Sequence, residues 1–188
     1  MADLDASMSG QWHFDPEHTR VGFSARHAMI TTVRGAFNDV KGVIDLNVDD
    51  LSASSVRVHL GAGSVDTRND KRDAHLRSAD FFDVDNHPEI TFVSSTIDEV
   101  EEGNFMVVGD LTIRGTTKQV AIPIELLGIN RDPMGNLRAG FEATRRLNRR
   151  DYGLEWNMPL DAGGVLVSEK VTLEFEISAI KVEGDDPA

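Results

Sequence analysis

Hydrophobic and polar residues alternate with a period of two along most of this chain. The clearest case is KVTLEFEISAI, residues 170–180, where Val171, Leu173, Phe175, Ile177 and Ala179 share one face. Thr172, Glu174, Glu176 and Ser178 fall on the other, the pattern of an antiparallel strand with one wet face. TRVGFSARHAM, residues 19–29, repeats it with Val21, Phe23, Ala25, His27 and Met29 in register. Further strands are predicted over 33–48, bent near Gly42, and over 54–60, 89–99, 104–113, 118–131, 136–148 and 168–181. The turn signals NVDDLSAS, EVEEGN, RGTTK and RDPMGN separate them. About eight strands, with no repeat and no linker-like gap, predict an all-β domain built as an antiparallel barrel or sandwich.

One segment breaks the period. TRNDKRDAHLRSADFF, residues 67–82, offers Thr67 or Asn69 as an N-cap and then no β-branched residue or glycine. It predicts one or two short helices inserted between two strands. At its end Phe81 and Phe82 stand side by side between Asp80 and Asp83. Two large rings in a charged loop either plug the end of a core or close over something bound. The ends, residues 1–10 and 183–188, read as disordered tails, which leaves 11–182 as a single domain.

Composition removes several function classes. The chain has 188 residues, 40% of them hydrophobic, enough for one well-filled domain. A net charge of −13 sets it against nucleic acid and anionic membrane surfaces, and no nucleic-acid recognition motif is present. The absence of cysteine excludes disulfides, thiolate metal sites and cysteine nucleophiles. No apolar run reaches the ~20 residues of a membrane-spanning helix. The N-terminus, MADLDASMSGQ, shows neither a basic n-region nor an apolar h-region, so the expectation is a cytoplasmic protein.

Catalytic motifs do not emerge. The six histidines, at 13, 18, 27, 59, 75 and 87, lack the spacing of a zinc site, and H-E-x-x-H is absent. There is no G-x-S-x-G elbow, and GAGS at 61–64 lacks the lysine and helix of a phosphate loop. Paired carboxylates carry little meaning in so acidic a chain. The expectation is therefore a non-enzymatic protein with no cofactor and no metal. Basic residues say more, because arginine outnumbers lysine 14 to 5 and clusters twice. Arg68, Lys71, Arg72 and Arg77 lie beside Phe81 and Phe82; Arg145, Arg146, Arg149 and Arg150 lie beside Tyr152. Guanidinium forks suit phosphate or carboxylate groups, but local Asp and Glu are equally available as partners.

The order of motifs resembles the YceI-like family of lipocalin-like, polyisoprenoid-binding proteins. The resemblance is carried by WHFDPEHTRVGFSARH (12–27), VRGAFNDVKGVIDLN (33–47) and VDTRNDKRDAHLRSADFFDVDNHPEITFVS (65–94). VVGDLTIRGTTKQVAIPI (107–124) and RRDYGLEWN (149–157) extend it over nearly the whole chain. It implies an extended, flattened eight-stranded antiparallel barrel with a short helical insert near its mouth. It also implies an apolar tunnel that holds a long-chain amphiphile without covalent attachment: a polyisoprenoid, an isoprenoid quinone or its precursor. Partner expectations are such a lipid, with no nucleic acid and no integral membrane segment, and a homodimer is allowed. The alternative reading is an enzyme or stress-response protein acting on such a lipid, with a histidine-bound metal.

Strand phase then names the interior. Val21, Phe23, Phe37, Phe92, Val108, Ile122, Phe141 and Phe175 are expected to line the tunnel, with Val58, Ile124 and Leu173 beside them. Residues 68–82 are expected to form a helical gate, with Leu76, Phe81 and Phe82 turned toward the ligand. Arg68, Asn69, Arg72, Asp73 and His75 are expected at a head-group rim, joined by Arg150.

Overall fold

A computed structural model describes residues 4–183. The strands are β1 (Gly10–Phe14), β2 (Arg20–His27), β3 (Thr31–Phe37), β4 (Val40–Leu46), β5 (Ser55–Gly61) and β6 (Val65–Asp66). After the helix α1 (Asp70–Arg77) come β7 (Glu89–Glu101), β8 (Asn104–Ile113), β9 (Thr116–Arg131), β10 (Leu137–Asn148) and β11 (Val167–Lys181). All pairings are antiparallel, and the ring β1-β4-β5-β7-β8-β9-β10-β11 closes through β1–β11 contacts. This is the expected closed eight-stranded barrel.

Eleven strands make eight staves because three staves are broken. β11 pairs with β2 over its first part and with β1 over its last, so β1 and β2 run as one stave interrupted at residues 15–19. β3 and β4 form the next, broken at Asn38–Asp39. β5 and β6 form the third. The expected single strand over 33–48 is thus two, and the break lies at Asn38–Asp39, not at Gly42. The Asn38 and Asp39 amides donate to the Ser64 carbonyl and hydroxyl, which turns the corner. Gly42 sits mid-strand in β4.

The first break is clamped from outside. Arg138 donates to Asp15 at 2.6 Å, to Asp132 at 2.9 Å and to the Ser178 hydroxyl at 3.1 Å. Desolvation pushes the Asp15 pKa up, but bonds from Arg138 and His18 outweigh it and leave the carboxyl below its ordinary value. A side-chain bond from Asn136, aided by Arg138 and two backbone amides, holds Asp132 at about 2.

α1 begins where the sequence places its cap, with the Asn69 side chain accepting from the Arg72 amide. The buried carboxylate of Asp73 accepts from the Thr67 amide at 2.9 Å and the Thr67 hydroxyl at 2.6 Å. Arg72 completes the lock by donating to the Thr67 hydroxyl oxygen and carbonyl. The second helical turn expected after Ser78 is instead a run of hydrogen-bonded turns reaching His87.

The N-terminal expectation needs correction. Residues 4–10, read as part of a tail, form a 3-10 turn at Ala6–Met8 and the first residue of β1. Leu4 and Met8 pack on the core, and the Trp12 indole donates to the Met8 carbonyl at 3.0 Å. Burying this apolar surface against Trp12 and Leu51 orders an otherwise polar stretch. The rest of the expected tails, residues 1–3 and 184–188, lies outside the described residues.

Two outcomes follow. Asp73→Ala leaves the buried Thr67 amide without its acceptor and should cost roughly 2–4 kcal/mol in urea unfolding. A loss under about 0.5 kcal/mol, the level of an inert surface change, would show that the lock does not hold the helix. Second, the lowered carboxyl values of Asp15 and Asp132 stabilise the fold above the unfolded pKa near 4, and that contribution disappears as pH falls to about 2. Melting temperature should drop across this window, and Arg138→Met should flatten the drop; an unchanged slope would contradict the clamp.

Candidate functional site

The barrel is not filled. Its interior holds two apolar cavities, about 190 Å³ toward the α1 end and about 90 Å³ toward the N-terminal turn. Phe14, Val56, Val107, Ile124 and Ile177 belong to both walls and form a waist between them. The walls are almost wholly hydrocarbon. An eight-stranded barrel has an interior just wide enough to be filled by side chains or to hold one ligand. What decides between the two here is where the rings lie.

Three inward phenylalanines pack closely against glycines of their own wall. Phe14 of β1 faces Gly42 of β4, Phe23 of β2 faces Gly35 of β3, and Phe92 of β7 lies diagonally across Gly109 of β8. A Cβ on any of these glycines would sit 2.6 Å or less from the ring. The missing side chains therefore make room for each ring beside the wall. The lumen between them stays open.

Most of the residues expected to line a tunnel border one of the two cavities. Val21, Phe23, Phe37, Phe92, Ile122, Phe175, Val58 and Leu173 line the larger cavity, Phe141 the smaller, and Ile124 both. Val108 is the exception: it lines neither cavity, and Val107 points inward instead. The inward set of β8 is Phe105, Val107, Gly109, Leu111 and Ile113, all odd-numbered. The Val107-Val108 pair hides this parity if the glycine is not counted as an inward position.

The two adjacent rings have different places. Phe81 is 5% exposed and wedged among His75, Trp156 and the Arg149 guanidinium, and its carbonyl accepts from Arg114 at 2.9 Å. Phe82 is half-buried and meets Phe37 edge-on at 5.5 Å. Both line the larger cavity, as does Leu76.

The expected rim dissolves under geometry. Asn69, Arg72 and Asp73 bond to one another's backbone or to Thr67 and hold α1 down. His75 bonds Asp80 at 2.8 Å and stacks edge-on to Trp156. Arg68 is exposed, at a left-handed position with φ 61°. Arg150 is also exposed and pairs with Glu169 at 3.0 Å. None of the six is among the residues lining either cavity.

Two residues that strand phase did not single out do line the larger cavity. Arg149 and Tyr152 open and close a 3-10 turn (Arg149–Tyr152) that follows β10. Arg149 is 5% exposed and donates to the carbonyls of Ser168, Leu154 and Val167. No carboxylate pairs with it among the described residues, and burial lowers its pKa. Tyr152 is 2% exposed, and its hydroxyl is buried with no hydrogen-bond partner. Burial raises its pKa, with the charge of Asp151 adding to the effect, so the hydroxyl keeps its proton. Arg149 shares the parity of Phe141, Ala143 and Leu147, but so does the exposed Arg145, so parity alone does not single it out.

The histidines stay scattered. The one convergent trio of candidate metal ligands among the described residues is Asp15, Glu17 and His18, and Asp15 there also serves Arg138. No helix among the described residues is long and apolar enough to cross a membrane.

Comparison with known proteins agrees with this architecture. The model of the YceI-like domain matches residues 12–179. A UPF0312 protein of Staphylococcus epidermidis is 35% identical over 170 residues, covering 90% of this chain and 95% of the relative. Among solved structures, BcnA of Burkholderia cenocepacia superposes with a TM-score of 0.77 at 20% identity, covering 88% of this chain and 98% of BcnA. A Campylobacter jejuni YceI protein gives 0.71 at 27% identity, covering 84% and 90%. A polyisoprenoid-binding domain of Saccharophagus degradans gives 0.70 at 15%, covering 91% and 98%. On sequence and on fold, the chain belongs to the YceI-like family.

Proposed function

We propose that this protein binds a long-chain amphiphile non-covalently inside its barrel, and sequesters or carries it without chemical conversion. The observation that supports this most is the two-part hydrocarbon hollow where a domain of this size normally packs side chains. An empty apolar cavity of about 190 Å³ corresponds, at about 24 cal/mol per Å³, to a cost on the order of 4–5 kcal/mol. An alkyl or prenyl chain removes that cost with no polar group to satisfy along its length. The waist matches a chain, because it narrows the hollow without dividing it with a polar residue. Polyisoprenoids, isoprenoid quinones and their precursors are the ligand class favoured, in keeping with the description of the Saccharophagus degradans domain as polyisoprenoid binding.

The adjacent rings Phe81 and Phe82 then take different roles. Phe81, held by His75, Trp156, Arg149 and Arg114, is the plug; Phe82 and Leu76 present the apolar surface that meets the chain.

Native mass spectrometry of protein purified without detergent tests the reading. A hydrocarbon-rich adduct that leaves on denaturation is expected. Protein that is free of adduct and takes up no geranylgeraniol would contradict it. The waist gives a sharper test. Gly42→Ala should push the Phe14 ring into the lumen and weaken geranylgeraniol binding at least threefold, while the shorter geraniol is little affected. Adding Phe14→Leu should restore the longer chain. Equal losses for both chain lengths would remove the waist from the binding path.

A further inference from the structure

Exposed apolar side chains gather at one end of the barrel. Met29 (63% exposed) and Ile30 (78% exposed) form the tip of the β2–β3 hairpin, and Met158 and Val165 stand exposed on the neighbouring loop 158–166. The two loops are laced together. The Ala28 amide donates to the Leu166 carbonyl and the Leu166 amide to the Met158 carbonyl, while a Cβ on Gly164 would sit 2.5 Å from the Met29 Sδ. Four of the nine large apolar side chains exposed among the described residues thus meet here, unlike the single residues scattered over an ordinary surface.

Charge is uneven around this tip. The hairpin holds no Asp or Glu from Arg20 to Phe37, although 32 of the 188 residues are acidic. Register sets its arginines beside the end of β10: Arg146 is opposite Thr172, Thr172 opposite Ser24, and Ser24 opposite Arg34. Arg26 and Lys170 follow two residues nearer the tip, on β2 and β11. Phe23, Ala25, Phe37, Leu147 and Val171 line the lumen at alternate positions, so these four cations point outward, and all are exposed. None pairs with a carboxylate among the described residues; Glu174 and Glu169 of β11 are engaged by Arg20 and Arg150. Loop 158–166 has one acid, Asp161.

We propose that this end of the barrel docks on an anionic lipid bilayer, with the apolar tip entering the interface and Arg26, Arg34, Arg146 and Lys170 meeting lipid phosphates. The order of groups matches the order of layers. Ile30 stands four residues beyond Arg34, roughly 13 Å at ~3.3 Å per residue, and interfacial apolar segments sit ~5–10 Å deep. Arginine stems reach along the remaining distance. The net charge of −13 does not forbid this, because only charges within a Debye length of ~8–10 Å of the surface are felt strongly. A folded partner would need a shape matched to two protruding loops; a fluid bilayer needs none.

Flotation with vesicles of phosphatidylcholine, alone or mixed equally with phosphatidylglycerol, tests this. The parent protein should float with the mixed vesicles and at least tenfold less with phosphatidylcholine alone, and raised salt should release it. Met29→Asn with Ile30→Ser should weaken binding to mixed vesicles about tenfold; asparagine suits the left-handed backbone at 29, so the melting temperature should hold. Arg34→Gln with Arg146→Gln should weaken it by about tenfold or more, at roughly fivefold per cation. Met134→Ser, exposed at the opposite end, should change nothing. Failure of the parent to float with either vesicle would overturn the docking surface, as would equal binding to both or an equal loss in Met134→Ser. A parent dimer that Met29→Asn with Ile30→Ser makes monomeric, without vesicle binding, would reassign the tip to contact between copies. Vesicle binding needs no occupied lumen, so none of these results bears on the tunnel.

Discussion

The structure depends on a steric bargain inside its walls: large inward rings are paired with absent side chains. Phe14 over Gly42, Phe23 over Gly35 and Phe92 over Gly109 each place a ring where a Cβ would otherwise be. With alanine at those glycines, the rings have to swing inward, and a barrel of eight staves has no spare width. Glycine weakens a strand interior, and a ring laid over it recovers cross-strand packing. Stability and an open lumen are thus supplied by the same pairs. Gly109 adds a second reason, since a Cβ there would also meet the Val93 carbonyl at 2.5 Å, beside the register shift between Ser94 and Thr96.

The two ends of the barrel close by different means. Toward the N-terminus, Leu4, Leu51 and Trp12 supply the floor of the smaller cavity, ordered by apolar contact and one indole bond. At the other end, β10 pairs with β9 only as far as Ala143–Ile124, and the 3-10 turn carrying Arg149 and Tyr152 follows the end of β10. The turns after α1 add Phe81 and Phe82, and Arg114 joins them to that turn through the carbonyls of Phe81 and Gly153. The cover is therefore a polar-bonded assembly with apolar undersides. That arrangement keeps buried charge at this end and hydrocarbon everywhere else.

Much of this was legible in the chain, and the misses have physical causes. Alternation in β2, β10 and β11 gave the inward face, because those strands are long and wet on one side. The helix was legible from its Asn69 cap. Breaks within staves were not, since Asn38–Asp39 interrupts a strand whose alternation continues on both sides. β1 and β6 escaped notice because five and two residues carry too little period. The head-group rim was misplaced by counting charges in sequence: Arg72 and Asp73 look available until Thr67 is found between them. Arg150 and Arg149 are neighbours, yet one is exposed and paired with Glu169 while the other is buried on three backbone carbonyls, a difference made by the turn after β10. Tyr152 had no sequence signal of its own; its orphan hydroxyl exists only in three dimensions.

The central claim is that one hydrocarbon chain runs the length of the lumen, past the waist. Intermolecular nuclear Overhauser effects between a bound prenyl or alkyl chain and methyl-labelled protein measure this directly. The account predicts contacts to Leu76 and Val171 at one end, to Ile124 and Val107 at the waist, and to Leu126 and Leu46 beyond it, all from a single ligand. Contacts confined to exposed methyls, or to the surface of α1 with none at the waist, would contradict it.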